Sequence, residues 1–432
     1  MRLSRRVEKL LDQGSEIARG ISFALAEKVS TGRFYNPTAA AYQRDPYPFL
    51  RELREQDPVH RSYPAGGWIV SRYDQIESIL KDPRFSSDER NHFRFKSQHA
   101  LRVRAGIVPP KDNEEPVLLG LDPPAHTRLR TLVNKAFAPR EVERLRPRAE
   151  KIVDEILWKL QEESSAEVIH ELATPLPVRL IAEALGIPAA DYKLFKHWSD
   201  EIVLQLGDPT LENQRRAQQA TAKLNEYLTP VVQQRRQEGH EDLISGLVHA
   251  QENGSQLEDD ELLRMVGLLL VAGNETTTHL IGNGLLALLQ HPAELDRLRD
   301  EPERIETAVE ECLRYNSPVH ITRRIALEAV EFGGRRFRPG QLILLVLGGA
   351  NRDPAAFPDP DRFDIARSPN RHLSFGLGVH FCLGSQLARM EAQIALSALL
   401  ARFPDLSLAC AEPVWRPNPI LRGLTALPVR LR

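Results

Sequence analysis

The chain has 432 residues, 42% of them hydrophobic and 27% charged, a globular balance with ample material for a large core that excludes disordered and fibrous classes. Lys and Arg number 57 against 59 Asp and Glu, so a formal charge of -2 gives no global field that would draw the chain to nucleic acid. The three cysteines, Cys312, Cys382 and Cys410, are odd in number, far apart and in no Cys-x-x-Cys pair, which predicts a reducing, cytoplasmic setting without disulfides.

The N-terminal stretch is charged at Arg2, Arg5, Arg6, Glu8 and Lys9. Its longest uncharged run, Gly20 to Ala26, falls far short of the ~20 residues of a membrane span, so neither a signal peptide nor an integral anchor is expected. Val7, Leu10, Leu11, Ile17, Ile21 and Leu25 recur near helical spacing and predict an amphipathic helix over 7–28 packed on the body. A strand pair is expected near Val59 to Val70, where Gly66-Gly67 marks a turn. From Pro123 to Gln290 helical periodicity dominates, broken at Leu185–Pro188 and Gln237–His240. His126 and Arg130 stand four apart on a helix opened by Pro123 and Pro124, and so share a face. A long helix runs from Glu258 to Gln290, and its apolar run, Met265 to Ala272, says that it is buried. Ala272 and Thr276 share one of its faces, and the threonines that follow compete for backbone carbonyls and open a local groove. A helix over Glu303 to Tyr315 carries Glu311 and Arg314 three apart. Short apolar runs around Gly333-Gly334 and Pro339-Gly340 predict a second small β-region between Val330 and Val346. No repeat, low-complexity stretch or flexible linker interrupts the chain, so the fold class is one large, mainly α domain with a minor, split β-content.

The most informative stretch is Phe375-Gly376-Leu377-Gly378-Val379-His380-Phe381-Cys382-Leu383-Gly384. Its glycines allow a tight loop to approach a flat cofactor closely and present the cysteine at a fixed position. Ser385 to Leu400 is helical in pattern, so Cys382 lies just before a helix N-terminus, where the macrodipole favours the metal-binding thiolate. A dinucleotide-binding reading of Gly376-x-Gly378 fails, because Phe381 stands where a third glycine is needed and no strand precedes it. The spacing Phe-x-x-Gly-x-His-x-Cys-x-Gly resembles the haem-binding loop of the cytochrome P450 family.

That resemblance implies the cytochrome P450 fold as a single domain over 37–432 behind an N-terminal extension, 1–36, with haem b (iron protoporphyrin IX) between the long helix and the cysteine loop. Cys382 is then the axial ligand, framed by Phe375, Gly376 and Gly384, with Ala272 against the cofactor. The propionates need converging cations. His126, Arg130, Arg324 and His380 match the family's set, with Arg323 as the neighbouring alternative. Glu311 and Arg314 resemble the Glu-x-x-Arg pair that a segment such as Pro358–Phe363 completes as a buried charge triad. Glu275 and Thr276 resemble the acid-alcohol pair that delivers protons. The implied reaction inserts one oxygen atom from O2 into an apolar small molecule by hydroxylation or epoxidation. Electrons come from a separate ferredoxin and ferredoxin reductase, or a flavodoxin-type donor, with Arg362, Arg371, His372 and Arg389 as a candidate docking patch. By family analogy the substrate pocket draws on Leu268, Leu269, Ala272, Val319, Ile321 and Ile420. Arg90 to Val108 falls where the family has a variable covering loop and reads as solvated. The rival from another class is a haem-thiolate protein that binds a ligand without turnover, and intact Glu275 and Thr276 weigh against it.

Overall fold

The computed structural model describes residues 22–64, 66–108, 116–252 and 254–432. Most of the predicted N-terminal helix lies outside the described residues, while 22–31 are helical. This helix turns its acid inward and its apolar side chains outward, the reverse of the expectation. Phe23, Leu25 and Val29 are exposed, whereas Glu27 is fully buried. The reason is a complete set of donors: the Tyr35 N–H at 2.7 Å, the Tyr63 N–H at 2.8 Å, the Ser62 hydroxyl at 2.9 Å and His60 Nε2 at 3.0 Å. A buried carboxylate so surrounded keeps its charge, and Tyr35 joins an apolar cluster with Tyr42, Leu50 and Ile69.

Eight helices carry the body: α1 Ala125–Asn134, α2 Arg146–Leu160, α3 Pro175–Ala184, α4 Tyr192–Gly207, α5 Leu211–Gln237, α6 Asp259–Gln290, α7 Ile305–Tyr315 and α8 Ser385–Arg402. The long helix begins where the sequence puts it, because Glu258 and Glu261 form a reciprocal capping box, and it ends before Pro292. At 32 residues it spans about 48 Å. From Leu280 to Leu288 it is buried on every side, since α3, α7 and α8 all pack on it. Each fully buried leucine there contributes roughly 1.5 to 3 kcal/mol.

The strands nearest the site are β1 Val59–Ser62, β2 Gly67–Val70, β3 Phe85–Ser86, β4 Thr322–Ala326, β5 Val330–Phe332, β6 Arg335–Phe337 and β7 Leu342–Leu345. A further hairpin near the C-terminus pairs β8, Val414–Trp415, with β9, Leu424–Ala426. The two β-regions that look separate in sequence form one sheet, in the order β1-β2-β7-β4-β3. The join is the parallel pairing of β7 with β2, Leu342 opposite Gly67 and Leu345 opposite Val70. Gly67 allows it, because a Cβ there would meet the Leu342 carbonyl oxygen at 2.3 Å. A separate apolar cluster on this sheet, including Val59, Ile76, Phe337 and Ile343, packs it against the short helix Tyr73–Lys81.

Candidate active site

The middle of α6 is the one part of that helix that leaves apolar surface open. Leu268, Gly273 and Thr276 are half-buried and Ala272 is exposed, although Leu269, Leu270, Asn274 and Glu275 around them are buried. Leu268, Ala272 and Thr276 follow each other at four-residue steps, so a single face of the helix stays open. The Thr276 hydroxyl donates to the Ala272 carbonyl at 2.8 Å, which is the local competition expected of threonine here. Glu275, one residue earlier, points elsewhere and is 4% exposed. Arg416 Nη1 donates to its Oε1 at 2.5 Å, and His279 Nε2 lies 3.3 Å from the same oxygen. Burial pushes this carboxyl up, but His279, Arg416 and Lys196 together outweigh it and hold the group down to about 2. His279 was legible in the sequence as an i, i+4 partner of Glu275. Arg416, which arrives from β8, was not.

The cysteine loop closes on itself through the Cys382 N–H, which donates to the Phe375 carbonyl at 2.9 Å. Gly376 and Gly378 hold φ of +68° and +73°, the left-handed region that side chains avoid, and a Cβ on Gly378 would strike the Leu80 carbonyl oxygen at 2.6 Å. Gly384 caps α8 with open space around it. The help that the helix end gives the thiolate is partial. Burial raises the Cys382 thiol above its ordinary value, and the Gly384 N–H, Arg130 and Arg389 only partly offset this. Coordination to a metal removes such a proton outright, so the thiolate belongs to the metal-bound form.

Cations converge beside this loop. The His126 and His380 ring centroids are 4.2 Å apart, which sets α1 against the loop. Both ring nitrogens of His126 are buried without a hydrogen bond among the described residues. Burial, then Arg324, His126 and Arg130, push His380 down to about 3. Arg324 is 6% exposed and burial lowers it to about 10. Asp122 opposes this shift, but its carboxylate is already held by the Ser86 hydroxyl and the Ser87 N–H. Arg323, the neighbouring alternative, is exposed and pairs with Glu89 at 2.9 Å, as strand alternation requires. Buried cations and unpartnered imidazoles around a cysteine fit a dianionic cofactor with a metal beside the sulfur.

Known proteins agree with this geometry. The family profile described as cytochrome P450 matches residues 194–408. The polyketide biosynthesis cytochrome P450 PksS of Bacillus subtilis is 42% identical over 408 residues, 92% of this chain and 98% of its own. The chain belongs to the cytochrome P450 family. The P450 monooxygenase PikC of Streptomyces venezuelae is 43% identical over 90% of this chain and 92% of its own. The solved structure of PksS superposes with a TM-score of 0.84 over 92% of this chain and all of that one. That of P450BioI in complex with an acyl carrier protein ligated to hexadec-9Z-enoic acid gives 0.82 at 37% identity, over 91% and 99%. The protein is therefore a haem b monooxygenase, acting with O2 on an apolar small molecule. Bacterial P450s take their electrons from a ferredoxin and its reductase. The rival reading as a binding protein without turnover is not favoured, since PikC is named a monooxygenase.

Around this P450 centre the remaining expected residues divide. Arg314 is fully buried, and its Nε and Nη2 donate to the two Glu311 oxygens at 2.8 Å each. Pro358–Phe363 contributes carbonyls to Arg314, from Pro360 at 2.7 Å and Arg362 at 3.0 Å, rather than a charge. The third charge is Arg367, 3.2 Å from Glu311, a residue the sequence reading missed. In the expected pocket, Leu269 packs into the main core and Ile321 into the cluster around Tyr35, so neither shares the Leu268–Ala272–Thr276 face. A helical step of 100° removes Leu269, and burial beneath the sheet removes Ile321. Val319 is bridged to Leu421, and the Ile420 carbonyl accepts the His320 N–H at 2.8 Å, so these two remain adjacent and half-buried. The expected docking patch is also reduced. Arg362 and Arg371 are exposed, but Glu310 engages His372 at 3.1 Å and Arg389 at 2.6 Å. The expected covering loop contains a helix, Phe95–Arg104, with no buried residue. Among the described residues no helix is long and apolar enough to cross a membrane.

Proposed function

We propose that Cys382 is the axial haem ligand, that His126, Arg130, Arg324 and His380 hold the propionates, and that Glu275 and Thr276 carry protons to the oxygen-binding side. The observation that carries this reading is the convergence of four basic side chains on the cysteine loop, three of them deeply buried or driven toward neutrality with no carboxylate free to pair with them. When bound, haem supplies the activation of O2, assisted by electron donation from the thiolate. The chain's own residues do the rest. Ala272 lets a flat group approach α6, and Leu268 keeps that face apolar and short of water. The Thr276 proton is engaged by the Ala272 carbonyl, which leaves the hydroxyl's lone pairs to accept a hydrogen bond from a protonated ligand or water. Glu275 is a carboxylate at neutral pH and serves as the proton acceptor on the inward route.

The substrate we place among polyketide-derived molecules, supported by the name of PksS. Residues 37–432 act as one catalytic domain, and three free cysteines support a reducing, cytoplasmic location. Dithionite reduction under carbon monoxide tests the ligand: wild type gives a strongly red-shifted Soret band and Cys382→Ser does not. A wild-type band without that shift defeats the assignment. Thr276→Ala keeps the band and the substrate-binding shift, yet diverts electrons to peroxide. Unchanged product per NADH in that variant removes the proton-delivery role.

A further inference from the structure

β1 is an edge strand of the five-stranded sheet, and cations gather along it. A cleft of about 360 Å³ opens there between the end of the N-terminal helix, β1 and the β5–β6 hairpin. Its charged lining is Arg33, Arg61 and Arg335 against a single carboxylate, Asp57. That carboxylate is already shared, with Oδ1 3.2 Å from Arg335 and Oδ2 2.8 Å from the buried His60. Arg33 pairs at 3.2 Å with Glu52, which lies outside the lining. Arg61 has no such partner: its side chain donates no hydrogen bond among the described residues, and Nη1 is buried. Two rings hold it instead. The guanidinium carbon lies 5.2 Å from the ring centroid of Trp68, its cross-strand neighbour on β2, and 5.8 Å from that of Tyr63. Stacking engages the flat face of a guanidinium and leaves its in-plane N–H fork free for an acceptor. Two further cations arrive from distant segments. The Phe93 N–H donates to the Gly340 carbonyl at 3.1 Å, which lays the covering loop against the β6–β7 turn, and a Cβ on Gly66 would stand 3.4 Å from Arg94 Nη1. Arg338 opens the same β6–β7 turn. Burial, then Arg94 and Arg338, lower the Arg61 guanidinium from its ordinary value against Tyr63, and no carboxylate among the described residues acts on it. Gathering like charges costs energy, and an anion is the counterpart that removes this cost.

We propose that this cleft is a second ligand site, separate from the haem centre, which takes a small organic oxyanion: the charged head binds Arg61 in the field of Arg94 and Arg338, and a flat or apolar body lies along Tyr63 and Trp68. Phosphate and carboxylate heads share the chemistry that a guanidinium fork reads. The volume falls within the range of small-molecule sites, which leaves room for a body beyond the head group. None of the lining residues belongs to the cysteine loop, the propionate cations or the open face of α6, so binding here and binding at the haem are read separately.

The experiment is a calorimetric titration of the haem-loaded enzyme with phenyl phosphate, benzoate, inorganic phosphate and uncharged benzyl alcohol. The Soret band is recorded in parallel and registers any entry into the haem pocket. Phenyl phosphate or benzoate binds wild type with the Soret band unmoved, and benzyl alcohol does not. The tighter of the two anions names the head group. Arg61→Gln weakens this binding roughly 10- to 100-fold, as loss of a charged hydrogen-bonding partner does, and Arg61→Lys recovers part of it. Added salt weakens it too, because the cleft is open to solvent. If Arg61→Gln loses haem on purification, Arg338→Gln decides by the same measurement, since Arg338 is exposed and outside the lining, and a smaller, several-fold weakening is expected. Equal binding by wild type and the variant that is read overturns the proposal. So does a lack of binding by both organic anions, or binding only with a moved Soret band. Inorganic phosphate binding as tightly as phenyl phosphate means an adventitious ion only, and overturns the site as one for an organic ligand.

Discussion

Replacing Arg314 with alanine removes the most heavily bonded side chain of the buried triad. Arg314 donates to both Glu311 oxygens at 2.8 Å and to three carbonyls, Asn351 at 2.9 Å, Pro360 at 2.7 Å and Arg362 at 3.0 Å. Breaking a buried ion pair by deleting one partner costs ~3 to 5 kcal/mol, because the other charge stays buried. Here Glu311 keeps Arg367 at 3.2 Å, the Asp364 N–H at 2.9 Å and Asn370 Nδ2 at 3.1 Å, which limits the exposed charge. The expected loss is therefore at the low end, about 3 kcal/mol, or roughly a 150-fold fall in the folded-to-unfolded ratio. The damage also reaches the cofactor, since Glu310 on the next residue of α7 anchors His372 and Arg389 beside the cysteine loop. Urea unfolding measures it as a lower midpoint at unchanged slope, together with reduced haem content after purification. Arg314→Lys keeps the charge but not the planar fork, and recovers part of the loss. A change under about 1 kcal/mol with full haem content in Arg314→Ala refutes the reasoning.

Two further outcomes follow from single observations. Arg324→Ala weakens haem retention, measured as transfer of haem to apomyoglobin, whereas Arg323→Ala leaves it unchanged, because only Arg324 is buried beside His380. Equal rates in the two variants would show that the strand register has been misread. Glu391 on α8 is 2% exposed, and burial raises it to about 8 from an ordinary 4.5. A carboxyl with a raised folded value stabilises most below pH 4.5, and that contribution is lost as pH rises toward 8. Wild type therefore loses stability between pH 5 and 8, and Glu391→Gln, which stays neutral, loses less over the same interval. Parallel denaturation curves for the two proteins at both pH values would contradict this.

Much of the fold could be read locally because its signals are local. The α6 boundaries follow from a capping box and a following proline, and the cysteine loop from glycines whose φ only they adopt readily. Glu311 and Arg314, or His126 and Arg130, are visible as helical spacings. The N-terminal helix misled for the same reason. Its apolar periodicity is real, but orientation was decided by four donors around Glu27, three of which lie more than thirty residues away on or next to β1. The pocket residues misled where periodicity was not applied strictly enough: Leu269 is one helical step off the open face.

Patterns confined to one element were legible in the chain: the cysteine among its glycines, Glu275 beside Thr276, His126 and Arg130 on one face of α1, and with them the family to which they belong. How those groups are held depends on contacts between distant elements. Arg416 meets Glu275 across 141 residues, Arg367 closes the triad 56 residues beyond Glu311, and β7 joins β2 across 275. Periodicity reports which face of an element is buried, but carries no information about which distant side chain meets it. That is settled when the core closes, because a buried charge is tolerated only where packing brings it a partner.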